Sequence, residues 1–258
     1  MFPSTFNNID FVKIDVSNMG VYDKNVYDFS KNTVKIGEVE YFYRISKYPI
    51  TNKLYNCFLE YDGKEKLCKE DNLPVVNISY IDMCYYCNWL STGDKNEGPY
   101  AITKNKPLLL TKNGFYIPNL HEWHKAAFYD PYKKNYFLYA TSSNDAPKKC
   151  SEMSLEKNVS NYLFIERTED SLLKKNYEKN YKGRIINVCS FINTLSPFGT
   201  YDQNGNVWEM VDSEFGEVKY IKGGSAFSSL YSLRSTFCSV VDVNIRSEEI
   251  GFRVCRGF

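Results

Sequence analysis

Histidine is scarce in this chain of 258 residues: His121 and His124 are the whole supply. They stand three apart in HEWH, whereas the zinc-protease template spaces its helical histidines four apart. No third ligand is evident, so the pair reads as the first turn of a helix capped by Glu122. A G-x-S-x-G elbow is absent, which excludes a serine hydrolase of that type. Cys84 and Cys87 form CYYC, but no second CxxC accompanies them. Inside an amphipathic pattern they read as two small buried side chains, not as a zinc or redox site. Neither sign of charge is in excess. The formal net charge is +1, which gives nucleic acid no basic footprint to bind. Lys174, Lys175, Lys179 and Lys182 are interrupted by Glu178 and tyrosines and read as a solvated loop. Long apolar runs of about 18 residues are missing, so no membrane span is expected. The N-terminus lacks the basic start and apolar core of a signal peptide. A cytoplasmic location and eight reduced cysteines are the resulting expectations. Repeats, low-complexity tracts and flexible linkers are also absent.

What is present suits one globular unit. Hydrophobic residues make up 43% and charged residues 24%, ordinary proportions for a chain with a sizeable core. One domain over residues 1–258 is expected, with 1–38 as its N-terminal part. Aromatics are abundant at 16%, which favours a loop-rich fold or a binding surface. Val39 to Lys47 alternates as a strand. Thr51 is a helix N-cap, and Asn52 to Tyr61 carries Leu54, Tyr55, Phe58 and Leu59 at helical spacing. Ser79 and Asp82 form a capping box for a second helix running to about Leu90, with Met83, Tyr86, Cys87 and Leu90 on one face. Asn119 and Glu122 form a third box, ahead of buried Trp123, Ala126 and Ala127. Tyr129 to Lys182 reads as a long polar excursion, and short strands with large loops follow from Ile185. The fold class is α+β, with two or three short helices, short antiparallel strands and high loop content.

Chemistry concentrates between Gly199 and Val254. In DQNGNVWE, Asp202, Glu209 and Asn206 flank the backbone bend at Gly205, and together they offer oxygens to a hard cation such as Ca²⁺. The spacing is not that of an EF-hand, and a hydrogen-bonded polar turn accounts for the same residues. Cys238 lies in this stretch and is the cysteine expected nearest a surface site.

Five blocks, in order, resemble the formylglycine-generating enzyme or sulfatase-modifying-factor family. YRISKYPITNKLYNCFL, from Tyr43, is similar to Y(E/P)VTNxQYxxFL. PVVNISYIDMCYYCNWLS resembles PVxxVSWxDAxxYxNWLS, and YIPNLHEWHKAA resembles RLPTEAEWEKAA. FGTYDQNGNVWEM resembles YGLYDMxGNVWEW, and GGS and GFRV close the pattern. The resemblance implies a C-type-lectin-like fold. It also implies a structural calcium held by Asp202 and Glu209 with the carbonyls of Gly205 and Val207, and a second calcium site that includes Asn161.

The family's oxidases hold Cu(I) on two cysteine thiolates shortly after GGS. Counted without gaps from Gly223, those positions are Ser228 and Leu233, and neither suits a soft cation. Trp208 and Ser225 remain as a vestigial pocket, so copper is not expected and no catalytic residue is assigned. Sulfoxide synthases of the same family bind iron through histidines of an additional domain that this chain lacks. The closing GGS…LRS…GFR frame also resembles the variable proteins of diversity-generating retroelements, in which the intervening residues bind ligand. Here those residues run from Ala226 to Glu249 and include Phe227, Tyr231, Arg234, Phe237 and Arg246, types that anchor interfaces. The segment is not asparagine-rich, and the EPN and WND sugar-binding signatures are absent. The expectation is a non-catalytic binding or scaffold protein whose ligand is a protein or glycan. The alternatives are a metal-dependent oxidoreductase acting on a protein cysteine or small thiol, with Cys238 or Cys255 recruited, and a structural component of a larger assembly, viral among the options.

Overall fold

Three capped helices set the frame. In α1 (Asn52–Tyr61) the Thr51 side chain accepts from the Leu54 amide. In α2 (Tyr80–Thr92) Ser79 and Asp82 close a capping box, and left-handed Gly93 ends the helix. In α3 (Leu120–Phe128) Asn119 and Glu122 cap each other reciprocally. Each cap satisfies amides that the first turn leaves without helical partners. The computed structural model describes residues 9–15, 22–23, 26, 35–103, 106–163 and 184–257. The lysine-rich stretch Lys174 to Lys182 lies outside the described residues.

Strands are short, as β1 (Phe11–Ile14), β2 (Tyr43–Ser46), β3 (Tyr100–Thr103), β4 (Lys106–Leu109), β5 (Phe115–Tyr116), β6 (Tyr129–Asp130), β7 (Asn135–Tyr136), β8 (Lys148–Lys149) and β9 (Val159–Ser160). The C-terminal part adds β10 (Trp208–Phe215), β11 (Val218–Lys222), β12 (Ser239–Asp242), β13 (Ile250–Gly251) and β14 (Cys255–Arg256). One four-stranded sheet has the order β1-β2-β14-β5, so the end of the chain is inserted between early strands. The other is β12-β11-β10-β13, antiparallel except for the β10–β13 pair. Three two-stranded ladders complete the architecture, a mixed α+β fold with much loop.

The main core joins β1, β2, α1, α2 and β14, with Tyr43, Tyr86, Phe252 and Val254 fully buried in it. α2 is buried on more than the one face expected: Cys84, Asn88 and Trp89 are buried as well. The helix lies between α1 and the strands β3 and β5. Asn88 survives there because its amide donates to the Tyr100 and Lys95 carbonyls and accepts from the Tyr100 amide, so no polar group is stranded. Cys84 and Cys87 are buried free thiols, pushed well up by burial. A second core packs Trp123 and Phe128 of α3 against Val211 and Tyr220. Cys238, the cysteine expected nearest a surface site, is itself buried in this core and follows half-buried Phe237 in the chain.

Candidate functional site

The turn between Asp202 and Glu209 is built on a close backbone approach. Gly205 has φ +75°, and a Cβ there would lie 2.2 Å from the Asn161 carbonyl oxygen, so only glycine fits. The amide of Asn206 donates to that carbonyl at 2.8 Å. Asn161 Nδ2 donates to Asn206 Oδ1 and to the Arg184 carbonyl. Asn206 in turn donates to the Ile186 carbonyl and accepts from its amide. Both amides therefore fasten neighbouring loops to the turn.

Glu209 is fully buried and meets Arg253 of the IGFRV block. Arg253 Nε donates to Oε2 at 2.6 Å and Nη2 to Oε1 at 2.7 Å. Trp123 Nε1 adds a third donor to Oε2 at 2.6 Å. Nη1 donates to the Ser46 carbonyl and Nη2 also to the Tyr201 carbonyl, both at 2.9 Å. This bidentate pair joins blocks 44 residues apart, and every guanidinium nitrogen has a partner where desolvation would be costly.

Asp202 is handled differently. Its Oδ2 accepts from the Cys189 amide at 2.7 Å. Burial pushes its carboxyl up to about 6, against the pull of the Cys189 amide and the positive charge of Arg253, while Glu209 adds to the rise. A carboxylate so raised is short of positive charge, and a cation beside it would supply that charge. Glu209 already accepts three hydrogen bonds and has one lone pair to spare on Oε1. Asp202, with one amide donating to Oδ2, is therefore the carboxylate of this turn that a hard cation would engage, while Glu209 is held by Arg253 and Trp123. Among the described residues no three His, Cys, Asp or Glu side chains converge as a metal site.

Ser228 and Leu233 both approach Gly224, where a Cβ would meet Leu233 Cδ1 at 2.7 Å and Ser228 Cβ at 3.5 Å. Ser225 is fully buried. Its amide donates to Ser228 Oγ at 2.9 Å, and its hydroxyl donates to Glu249 Oε2 at 2.5 Å while lying 3.1 Å from Ser228 Oγ. Leu233 ends a short 3-10 turn (Leu230–Leu233) and is buried with Tyr139 and Tyr162. The pair of positions therefore presents a hydroxyl held in a hydrogen-bond network and a buried aliphatic side chain. Cys255 is buried on β14, and burial pushes its thiol well up.

Beside this network the rings form a row. Trp208 and Phe237 have centroids 6.2 Å apart, and Phe237 meets Tyr231 edge-on at 5.1 Å. The Arg234 guanidinium lies 5.3 Å from the Tyr231 ring centre. It has no carboxylate partner among the described residues, and its Nε is buried without a hydrogen bond. Tyr231 is 55% and Phe227 40% exposed, so the row opens to solvent. Arg246 lies apart from the row: it pairs with Asp82 at 2.6 Å and donates to the Asn77 carbonyl, clamping the segment to the start of α2. From below, buried Lys222 donates to the carbonyls of Ser235 and Phe237. Burial pulls its ammonium down to about 8. This support was not apparent in the sequence, where KGGS drew attention to its glycines.

His124 is buried with Nε2 3.2 Å from Asp23 Oδ2, and burial pulls it down to about 4. His121 is only partly buried. Glu122 caps α3 as expected, and also accepts from Tyr41, Tyr116 and Lys112.

The chain belongs to the sulfatase-modifying factor enzyme 1-like domain family, whose model matches residues 18–258. Among solved structures it is similar to CarF at 19% identity, with 100% of both chains covered and a TM-score of 0.64. It is similar to Treponema denticola variable protein 1 at 18% identity, over 96% of this chain and 95% of that one, with a TM-score of 0.61. PvdO from Pseudomonas aeruginosa matches at 18% identity over 97% and 92%, with a TM-score of 0.59. These likenesses establish the shared fold. A search among curated proteins gave no significant match. No helix of the described residues is long and apolar enough to cross a membrane.

Proposed function

We propose that this chain is a non-catalytic binding protein on the family's scaffold, with its ligand on the face formed by Phe227, Tyr231, Arg234 and Phe237. The observation that carries the reading is the pair Ser228 and Leu233. One is a hydroxyl engaged by the Ser225 amide and the other is a fully buried leucine, and neither offers a soft donor for Cu(I). The adjoining row of rings supports binding. Exposed tyrosine, phenylalanine and an arginine without an acid partner are the residue types that anchor protein interfaces. A protein ligand suits the face better than a glycan because the unpaired Arg234 calls for a carboxylate. With all eight cysteines free, a reducing compartment suits the chain.

A photo-crosslinking residue at position 227, introduced in the cells that make the protein, tests this. The expected result is a discrete protein adduct that disappears with Tyr231→Ala and Phe237→Ala and is absent when the crosslinker replaces Leu108. Leu108 is 63% exposed and lies on β4. No adduct from 227, or equal adducts from both positions, sinks the proposal.

The same reading gives the Asp202–Glu209 turn a structural calcium ion. Calcium is expected to raise the melting temperature and a chelator to reverse the gain, and Asp202→Ala to abolish both effects. An unchanged melting temperature speaks against the ion.

A further inference from the structure

We propose that the cleft between the start of α1 and the loop Asn187–Ile192 binds an acidic, extended segment of a partner protein. The cleft encloses about 1020 Å³ and shares no lining residue with the face at Phe227 to Phe237. Three other pockets hold 450 Å³ or less.

Its walls are tied to the body of the protein. The Tyr201 amide donates to the Lys47 carbonyl at 2.7 Å, and the Val188 amide to the Asn72 carbonyl at 3.0 Å. The Cys189 amide reaches Asp202 at 2.7 Å. A concavity held by backbone hydrogen bonds at both walls is preformed, so an occupant loses less to ordering.

The cleft carries unbalanced positive charge. Lys47 lies 5.6 Å from the Tyr201 ring centre and has no ion-pair partner among the described residues. Lys53 also has none, and it stands in the first turn of α1, where no acidic residue offsets the positive end of the helix. The one acid lining the cleft, Asp10, already accepts the Tyr48 hydroxyl at 2.9 Å. Two free ammonium groups therefore face one engaged carboxylate.

Apolar groups are interleaved with the charges. Met153 is 84% and Ile192 52% exposed at the rim, with Leu54 and Val188 deeper. Asn72, Asn187 and Ser190 supply amides and a hydroxyl able to meet a peptide backbone. Carboxylates alternating with apolar side chains along an extended backbone match all three features. The volume is also at the upper end of small-molecule sites, about 300–1,000 Å³. Nucleic acid suits the cleft less: only two cations line it, and Tyr201 is covered by Lys47 and is not open for stacking.

Fluorescence anisotropy with the full chain tests the assignment. The probes are a short fluorescein-labelled peptide alternating glutamate with leucine, its lysine–leucine counterpart, and a labelled oligothymidine. The glutamate peptide is expected to bind in preference to both others. K47E/K53E is expected to weaken it by about tenfold or more, as charge reversal at a complementary surface does, and K47Q/K53Q by an intermediate factor. Both variants should remain folded with cooperative unfolding near that of the native protein, since neither lysine is ion-paired and Glu at position 53 suits the start of α1. Tyr231→Ala with Phe237→Ala should leave this binding intact, which separates it from the proposed face. Failure of the glutamate peptide to bind, equal affinity in K47E/K53E, or preference for oligothymidine overturns the proposal.

Discussion

At the scale of single residues, burial decides which charges the protein tolerates. His124 is fully buried on α3. Burial pulls it down to about 4, despite the opposing attraction of Asp23, with positive Lys222 adding to the fall. The unfolded chain takes up that proton near 6.5, ahead of the folded one. The stability contributed by neutral His124 is therefore complete above about 6.5 and is lost as pH falls toward 4, roughly 3 kcal/mol in all. Asp202 acts in the opposite sense. Its folded value is raised to about 6, so its contribution is complete below about 3.9 and is lost as pH rises through 6. From pH 7 to pH 4 the two contributions nearly offset each other, so urea unfolding midpoints should change little in the native protein and rise in His124→Phe, where only the Asp202 contribution remains. Parallel curves for the two proteins contradict the assignment. At this scale the sequence was legible where partners are local. Asn119 with Glu122 and Ser79 with Asp82 are read directly from their spacing. Glu209 with Arg253 was not, because nothing in either block specifies a partner 44 residues away.

At the scale of elements, glycine placement separates a required turn from a permitted one. Gly205 and Gly63 both adopt left-handed φ, +75° and +66°. An added Cβ at Gly63 meets nothing within 4 Å, whereas at Gly205 it meets the Asn161 carbonyl at 2.2 Å. Gly63→Ala should cost about 1–2 kcal/mol, the left-handed conformation alone. Gly205→Ala should cost at least about 2 kcal/mol more, because the backbone of a buried turn must shift. Denaturant unfolding of the two variants checks this, and equal losses would show that the Asn161 contact is not tight. The helices were legible as elements because a cap and a 3.6-residue period coincide: α1 spans Asn52–Tyr61, the range its pattern predicts. The strands were less so. Alternation marks Val39 to Lys47, but pairing is confined to Tyr43–Ser46, where β1 and β14 supply partners. Strand length here is set by neighbours distant in sequence, which a local pattern does not contain.

At the scale of the whole molecule, the order of the blocks carries the fold. GGS, GFRV and NVWE are brought together because β13 runs parallel to β10 and Arg253 reaches Glu209. The family frame is thus held by buried hydrogen bonds, while the residues between GGS and GFRV supply an open row of rings. The sequence pointed to that segment but not to its division, with Tyr231, Arg234 and Phe237 in the row and Arg246 clamped to α2. The cleft beside α1 was not legible, since its lining comes from the first strand region, α1 and the loop at 187–192. We propose that this scaffold has kept the frame without the oxidase chemistry. The most direct test is mass spectrometry of a sulfatase-type cysteine peptide incubated with the purified protein, Cu(I) and oxygen. No conversion of cysteine to formylglycine above a copper-only control is expected. Conversion that depends on the protein and is lost in Ser225→Ala would contradict it.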